Sequence, residues 1–82
     1  MSELTGDFVI DFDIFLNSRN LSIANQFLEK HKIYLKNKCT LFKNSNVQTI
    51  NSTSSMLLLL KYAIHVYKIS DMYTIEEEEE YE

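Results

Sequence analysis

The sequence has no proline, no tryptophan, one glycine and one cysteine. Phosphate-binding loops and dinucleotide-binding turns need several glycines at fixed spacing, so Gly6 alone excludes nucleotide binding through those motifs. Cys39 has no second cysteine with which to pair, which excludes an internal disulfide and favours a reducing compartment. Turns must therefore be built from asparagine and serine, which tolerate left-handed backbone or hydrogen-bond to it.

Long apolar runs are also missing. The residues after Met1 have neither the basic start nor the apolar stretch of a signal peptide. The most apolar segment, Met56–Ile69, is interrupted by Lys61, His65 and Lys68 and is shorter than the roughly 20 apolar residues that cross a bilayer. We expect a cytoplasmic protein, or a nuclear one in a eukaryotic host, that is not secreted and does not bind membranes.

The size and composition are those of one small folded domain. The chain has 82 residues, 45% of them hydrophobic and five of them phenylalanine, which is enough for a single core. Lysine, asparagine, isoleucine and tyrosine are abundant while glycine, proline and tryptophan are scarce. This usage is typical of AT-rich genomes, including those of many viruses and phages, and so favours a viral protein.

Charge is segregated along the chain. The formal net charge is −4, but residues 1–18 carry −4, residues 19–70 carry +7 and residues 71–82 carry −7. Two acidic ends therefore flank a basic middle. A run of glutamates is usually a solvated tail, and the alternative is that it binds something basic, either the middle of this chain or a partner.

The first half of the chain predicts a strand followed by a helix. Apolar and other residues alternate from Phe8 to Leu16, which is the period of a strand with one buried face. Helical spacing of apolar residues then runs from Leu21 to Leu35, and Asn20 or Ser22 can cap that helix.

The second half predicts two short strands, a helix and a third strand. Cys39–Phe42 and Val47–Ile50 are β-prone and are separated by a polar turn, and Met56–Ile69 favours a helix. Met72–Ile75 is compatible with a final strand. The predicted fold is therefore α+β, in the order β-α-β-β-α(-β), with two helices packed on an antiparallel sheet. Residues 1–75 would form the domain and residues 76–82 an acidic tail.

Asp11 and Asp13 are the candidate catalytic pair. On a strand, residues two apart point to the same side, so these carboxylates could hold Mg²⁺. The string from Phe8 to Ser18 resembles the nucleophile motif of haloacid-dehalogenase-like phosphatases, in which a strand ends in Asp-x-Asp-Gly-Thr. The resemblance implies that Asp11 is the nucleophile and Asp13 the acid/base, although Ile14 and Phe15 replace the Gly-Thr pair. The alternative is that both aspartates form the solvated face of an antiparallel strand.

His31, His65 and Cys39 are the other residues with metal-binding or nucleophilic side chains. They are scattered singly, whereas a structural zinc site needs four ligands that usually come in close pairs. We interpret His31 as a partly buried histidine and Cys39 as a core residue. We favour a protein with no metal, cofactor or catalytic residue, and the alternative is a metal-dependent phosphatase-like enzyme that uses Asp11 and Asp13.

The basic middle is the candidate nucleic-acid surface. Clustered cations can bind a phosphate backbone, and the interleaved aromatics Tyr34 and Phe42 could stack on bases. The alternative is a lysine-covered solvent face around core aromatics. The candidate contacts are Lys30, Lys32, Lys36, Lys38 and Lys43.

The acidic end is the candidate protein-binding surface. A dense row of carboxylates can bind a basic protein and can imitate a nucleic-acid backbone, and tyrosines are common anchors at interfaces. We predict a non-enzymatic interaction protein, of the kind that inhibits a nucleic-acid-binding protein, whose acidic ends dock on that partner. The candidate contacts are Tyr73, Glu76, Glu77, Glu78, Glu79, Glu80, Tyr81 and Glu82.

The segment Met56–Ile69 also suggests self-association. Its polar residues fall on one narrow stripe, so a single small domain would have to cover almost every other side of the helix. A homodimer through this segment is one solution, and complete coverage by the rest of the chain is the other.

Overall fold

The computed structural model describes the backbone of residues 4–80 and the side chains of residues 4–69. Four helices follow one another in this part of the chain: α1 (Phe8–Ser18), α2 (Leu21–Lys38), α3 (Thr40–Lys43) and α4 (Thr53–Glu80). No strand is present between residues 4 and 80, so the predicted α+β fold with an antiparallel sheet is wrong.

The predicted first strand is the helix α1. Phe8, Phe12 and Phe15 are spaced at i, i+4 and i+7, so a helix also places them on one face, and this face packs on the core. Asp7 caps the helix because its carboxylate accepts a hydrogen bond from the Ile10 N–H at 3.1 Å. Arg19 ends the helix with left-handed backbone, at φ 51°.

The second helix is where the sequence predicts one, and it runs on to Lys38. Asn20 caps it by accepting a hydrogen bond from the Ile23 N–H at 2.8 Å. The helix is kinked at His31, whose φ of −117° and ψ of 16° depart from helical values. The kink occurs at the residue whose ring is hydrogen-bonded to Asp11.

The two short strands predicted between the long helices are a helical turn and an irregular segment. Cys39 caps α3, its sulfur accepting a hydrogen bond from the Phe42 N–H at 3.4 Å. Ile50 lies in the irregular segment, where the Asn25 side chain holds it as a neighbouring strand would. The Asn25 amide donates to the Ile50 carbonyl and accepts from the Ile50 N–H, both at 2.8 Å.

The predicted helix Met56–Ile69 is confirmed and forms most of the N-terminal half of the longer α4. Ser52 and Ser55 start it with a reciprocal capping box, in which each side-chain oxygen accepts from the backbone N–H of the other. The backbone stays helical through Met72–Ile75, where a final strand had been predicted, and on to Glu80. With 28 residues, α4 is about 42 Å long. No helix among the described residues is long and apolar enough to cross a membrane.

The core lies where α2 packs against the other three helices. Each helix contributes large side chains that are almost completely buried, and complete burial of such a side chain contributes about 1.5–3 kcal/mol. The largest on the helices are Phe15, Phe27, Leu35, Phe42, Leu59 and Val66, and Ile50 of the irregular segment is equally buried.

Candidate protein-binding surface

Asp11 is the one completely buried carboxylate in the described part of the chain. The Thr5 N–H donates to its Oδ1 at 2.7 Å and the Gly6 N–H donates to its Oδ2 at 2.8 Å. The Thr5 hydroxyl adds a third hydrogen bond, at 3.0 Å to Oδ1. Gly6 reaches this position with φ at 98°, a conformation that favours glycine. Asp11 therefore ties the residues before α1 to the helix itself.

His31 completes the hydrogen bonds around this carboxylate. Its Nε2 lies 2.7 Å from Oδ2 of Asp11, and both side chains are buried. The His31 ring packs edge-on against Phe8 and lies 4.9 Å from the Phe27 ring, measured between centroids. The pair therefore joins α1 to α2 inside the aromatic part of the core.

The pKa of Asp11 is lowered from its ordinary value of 3.8. Burial acts in the opposite direction and raises it, but the hydrogen bonds from Thr5, His31 and Gly6 together outweigh burial. Asp11 is therefore ionised at neutral pH and can only accept hydrogen bonds, so Nε2 of His31 carries the proton and donates.

Asp11 and Asp13 do not converge as the strand prediction required. On a helix, residues two apart point in directions about 200° apart. Asp11 accordingly faces the core, where donors from this chain occupy both its oxygens, while Asp13 is exposed. Within the described residues, no group of three or more histidine, cysteine or acidic side chains could hold a metal ion.

His65 and Cys39 lie apart from that pair. His65 is exposed on α4, whereas Cys39 is buried and acts as the cap of α3. Cys39 is a core residue, as predicted. His31 was predicted to be partly buried and is almost completely buried.

The five candidate nucleic-acid contacts are distributed over α2 and α3. Lys30 and Lys32 lie on either side of the kink at His31, and Lys30 is exposed whereas Lys32 is half-buried. Lys38 lies over the Tyr34 ring, with its Nζ 5.8 Å from the ring centroid. Lys36 and Lys43 are exposed, the latter on α3. The basic side chains therefore extend along α2 to α3, and nucleic-acid binding through them stays a prediction.

An apolar groove lies between α1 and α4. Its volume is about 440 Å³. Val9 and Ile10 on α1 remain 54% and 50% exposed there, although both are aliphatic. The wall on the α4 side is Tyr67, which is stacked on Phe12 at a centroid distance of 5.2 Å. The complete lining of this α1–α4 groove is Val9, Ile10, Phe12, Asp13, Leu16 and Tyr67.

The α1–α4 groove has an acidic residue in its lining and an acidic segment farther along one wall. Exposed Asp13 is part of the lining. Along α4, Glu76 follows nine residues after Tyr67, a distance of about 14 Å on the helix axis. The fold thus brings α1, from the acidic N-terminal end of the sequence, into contact with the helix that carries the acidic C-terminal end.

The side chains of the predicted C-terminal site lie outside the described residues. For Tyr73 and Glu76–Glu80 the structure gives only the helical backbone, and Tyr81 and Glu82 lie entirely beyond it. The site at these residues therefore stays a prediction, as does the boundary between a domain ending at residue 75 and a tail.

A second groove, of about 560 Å³, lies where the N-terminal residues cross α2. Its lining mixes one apolar residue with amides and one charge of each sign, namely Leu4, Asn25, Gln26, Glu29 and Lys30. The Asn25 amide is already committed to Ile50, so this groove offers fewer free hydrogen-bonding groups than its lining suggests.

Sequence reasoning missed both the buried Asp11–His31 pair and the α1–α4 groove. The signal for the first was the helical register of Phe8, Asp11 and Phe15, which places Asp11 among core residues. The signal for the second was that Val9 and Ile10 fall off that register. Both features can be inferred from the sequence only if residues 8–18 are assigned to a helix.

Comparison with known proteins gives no match. No family model, no curated protein and no solved structure is significantly similar to this chain. The proposals below therefore depend on the residues and geometry described above.

Proposed function

We propose that this chain is a non-enzymatic protein-binding module that uses the α1–α4 groove and the adjoining acidic end of α4. Its partner presents apolar side chains beside lysine or arginine, as the basic face of a nucleic-acid-binding protein does. Occupation of that face would inhibit the partner. The observation that carries the proposal is the exposure of Val9 and Ile10 in a groove lined also by Asp13.

The apolar lining supplies the affinity in this proposal. Burying the exposed half of Ile10 would contribute about 1 kcal/mol, and Val9 a similar amount. Tyr67 is already held by its stacking on Phe12, so it costs little conformational entropy when a partner packs against it. A partner side chain that enters the groove therefore meets a preformed apolar surface.

The acidic residues supply selectivity for a basic partner. Residues 71–82 carry a net charge of −7, and α4 places Glu76 about 14 Å beyond the groove. Complementary charge accelerates association and rejects acidic partners more than it adds affinity. A basic partner with no apolar side chains should therefore bind weakly, and an acidic partner should not bind.

The test is a fluorescence-anisotropy titration with an amphipathic helical peptide of leucine and lysine. We expect wild-type protein to bind it at low salt and Ile10→Ser to weaken binding about fivefold, the effect of losing about 1 kcal/mol. Ile33→Ser is the matched control, because Ile33 is 73% exposed on α2 and lies outside the groove. That variant should bind as the wild type does.

Two further peptides separate the contributions. A peptide with the same lysines but with serine in place of leucine should bind only weakly, and a leucine-glutamate peptide should not bind. Changing Glu76–Glu80 to glutamine should weaken binding of the leucine-lysine peptide and reduce its salt dependence. Equal affinity of the Ile10→Ser and Ile33→Ser variants would overturn the role of the groove.

A further inference from the structure

The exposed face of α4 carries a second surface, which the proposed function does not use. Lys61, His65 and Lys68 are spaced at i, i+4 and i+7 and are all exposed, so they form one basic stripe along the helix. No acidic residue occurs between Thr53 and Ile69. The first acidic residue after the stripe is Asp71, three residues beyond Lys68, so Lys61 and His65 have no acidic neighbour within one turn of their own helix.

Exposed aliphatic side chains accompany the basic stripe. Leu57 is 48% exposed near its start, and Leu58 and Ile69 are also exposed. Aliphatic residues beside a row of cations on one helix face are typical of a helix–helix contact between subunits. This face differs from the α1–α4 groove, because Tyr67 turns towards α1 whereas the stripe points to solvent.

The same helix carries the complementary charge farther along. The stripe spans residues 61–68, and the five glutamates occupy the last positions of α4, residues 76–80. If two copies of α4 lie antiparallel and cross between residues 70 and 71, residue 61 faces residue 80 of the other copy. Residue 65 then faces residue 76, and residue 68 lies within one turn of it. A parallel pair would place like charges opposite each other.

We propose that α4 pairs antiparallel with α4 of a second copy, the basic stripe of each copy lying along the glutamates of the other. The pairing occurs twice in a two-fold symmetric dimer, as a contact between identical chains requires. Opposite charges at matching positions fix the direction and register of the pair, while the aliphatic residues beside the stripe contribute buried area. The proposal does not use the α1–α4 groove, although it shares the glutamates at the end of α4 with the proposed function.

The test is sedimentation velocity of the whole chain over a range of protein and salt concentrations. We expect a dimer at low salt that dissociates as salt screens the paired charges. The double variant Lys61→Glu/Lys68→Glu should be monomeric, and so should Glu76→Lys/Glu80→Lys. An equimolar mixture of the two variants should form a heterodimer, because each now carries the charges that the other needs.

The matched control is Lys30→Glu/Lys36→Glu, which changes the net charge by the same amount on exposed positions of α2. That variant should still dimerise, and circular dichroism should show that every variant remains helical. A monomeric wild type at low salt would overturn the proposal. A dimer that survives Lys61→Glu/Lys68→Glu would overturn it too, as would failure of the mixed variants to associate. These outcomes use no peptide, so they are independent of the test of the groove.

Discussion

Replacing Asp11 with asparagine should destabilise the fold far more than any exposed carboxylate does. Both oxygens of Asp11 accept a backbone N–H, from Thr5 on one side and Gly6 on the other, and His31 donates to the second oxygen. An amide has one acceptor oxygen and one NH₂ group. Whichever way it is turned, the NH₂ group faces donors, so at least one hydrogen bond is lost and a donor is left without a partner.

The size of the effect follows from those contacts. A hydrogen bond to a charged group contributes about 1.5–3 kcal/mol, and a buried donor left without a partner costs about 1–3 kcal/mol. For Asp11→Asn we expect a loss of about 3 kcal/mol, since the side-chain volume is unchanged and no cavity forms. In a domain of this size that loss lowers the melting temperature by roughly 12–24 °C.

The assay is urea unfolding followed by circular dichroism, with Asp13→Asn as the matched control. Asp13 lies on the same helix and is exposed, so its replacement should change the free energy of unfolding by no more than about 0.5 kcal/mol. The Asp11–His31 account would be refuted if the two variants were equally stable. It would also be refuted if Asp11→Asn and His31→Gln were additive in the double variant, because residues in direct contact should show coupling.

Two further predictions concern stability at acid pH and the two hydrogen bonds between the Asn25 side chain and the Ile50 backbone. The folded-state pKa of Asp11 lies below 3.8, so the stability that ionised Asp11 gives the fold is complete at neutral pH and is lost as pH falls below about 4. Acid titrations should therefore show a shallower loss of folding stability for Asp11→Asn than for the wild type. Parallel curves would contradict this. Asn25→Ala should lower the free energy of unfolding by about 2 kcal/mol and accelerate amide hydrogen exchange at Ile50, because both backbone groups of Ile50 lose their partner. The control is Asn17→Ala, which removes only an exposed hydrogen bond within α1 and should have neither effect.

The two long helices could be predicted from sequence because each contains a pattern that fits only a helix. The segment Leu21–Leu35 has no competing alternation, and the stripe of Lys61, His65 and Lys68 is continuous only on a helix. The first element was mispredicted because residues 8–16 are apolar at almost every position, so a period of two and a helical period both fit. The capping position of Asp7 was the local signal that decides between them.

The candidate site was less accessible to prediction. The burial of Asp11 depends on His31, which is 20 residues away in sequence, and on the backbone of Thr5 and Gly6. An isolated carboxylate would normally face solvent, so its partner must be known before burial can be inferred. The α1–α4 groove likewise depends on packing between two helices far apart in sequence, where Phe12 stacks on Tyr67.

The measurement that tests the central claim most directly is an NMR titration of labelled protein with the leucine-lysine peptide. If the α1–α4 groove is the binding surface, the shifted amide signals should cluster at Val9, Ile10, Asp13 and Leu16, with Tyr67 on the facing helix and the signals of the acidic end of α4. Signals around Lys32 and Lys43 should stay in place. Shifts confined to those lysines, or no shifts at all, would contradict the account.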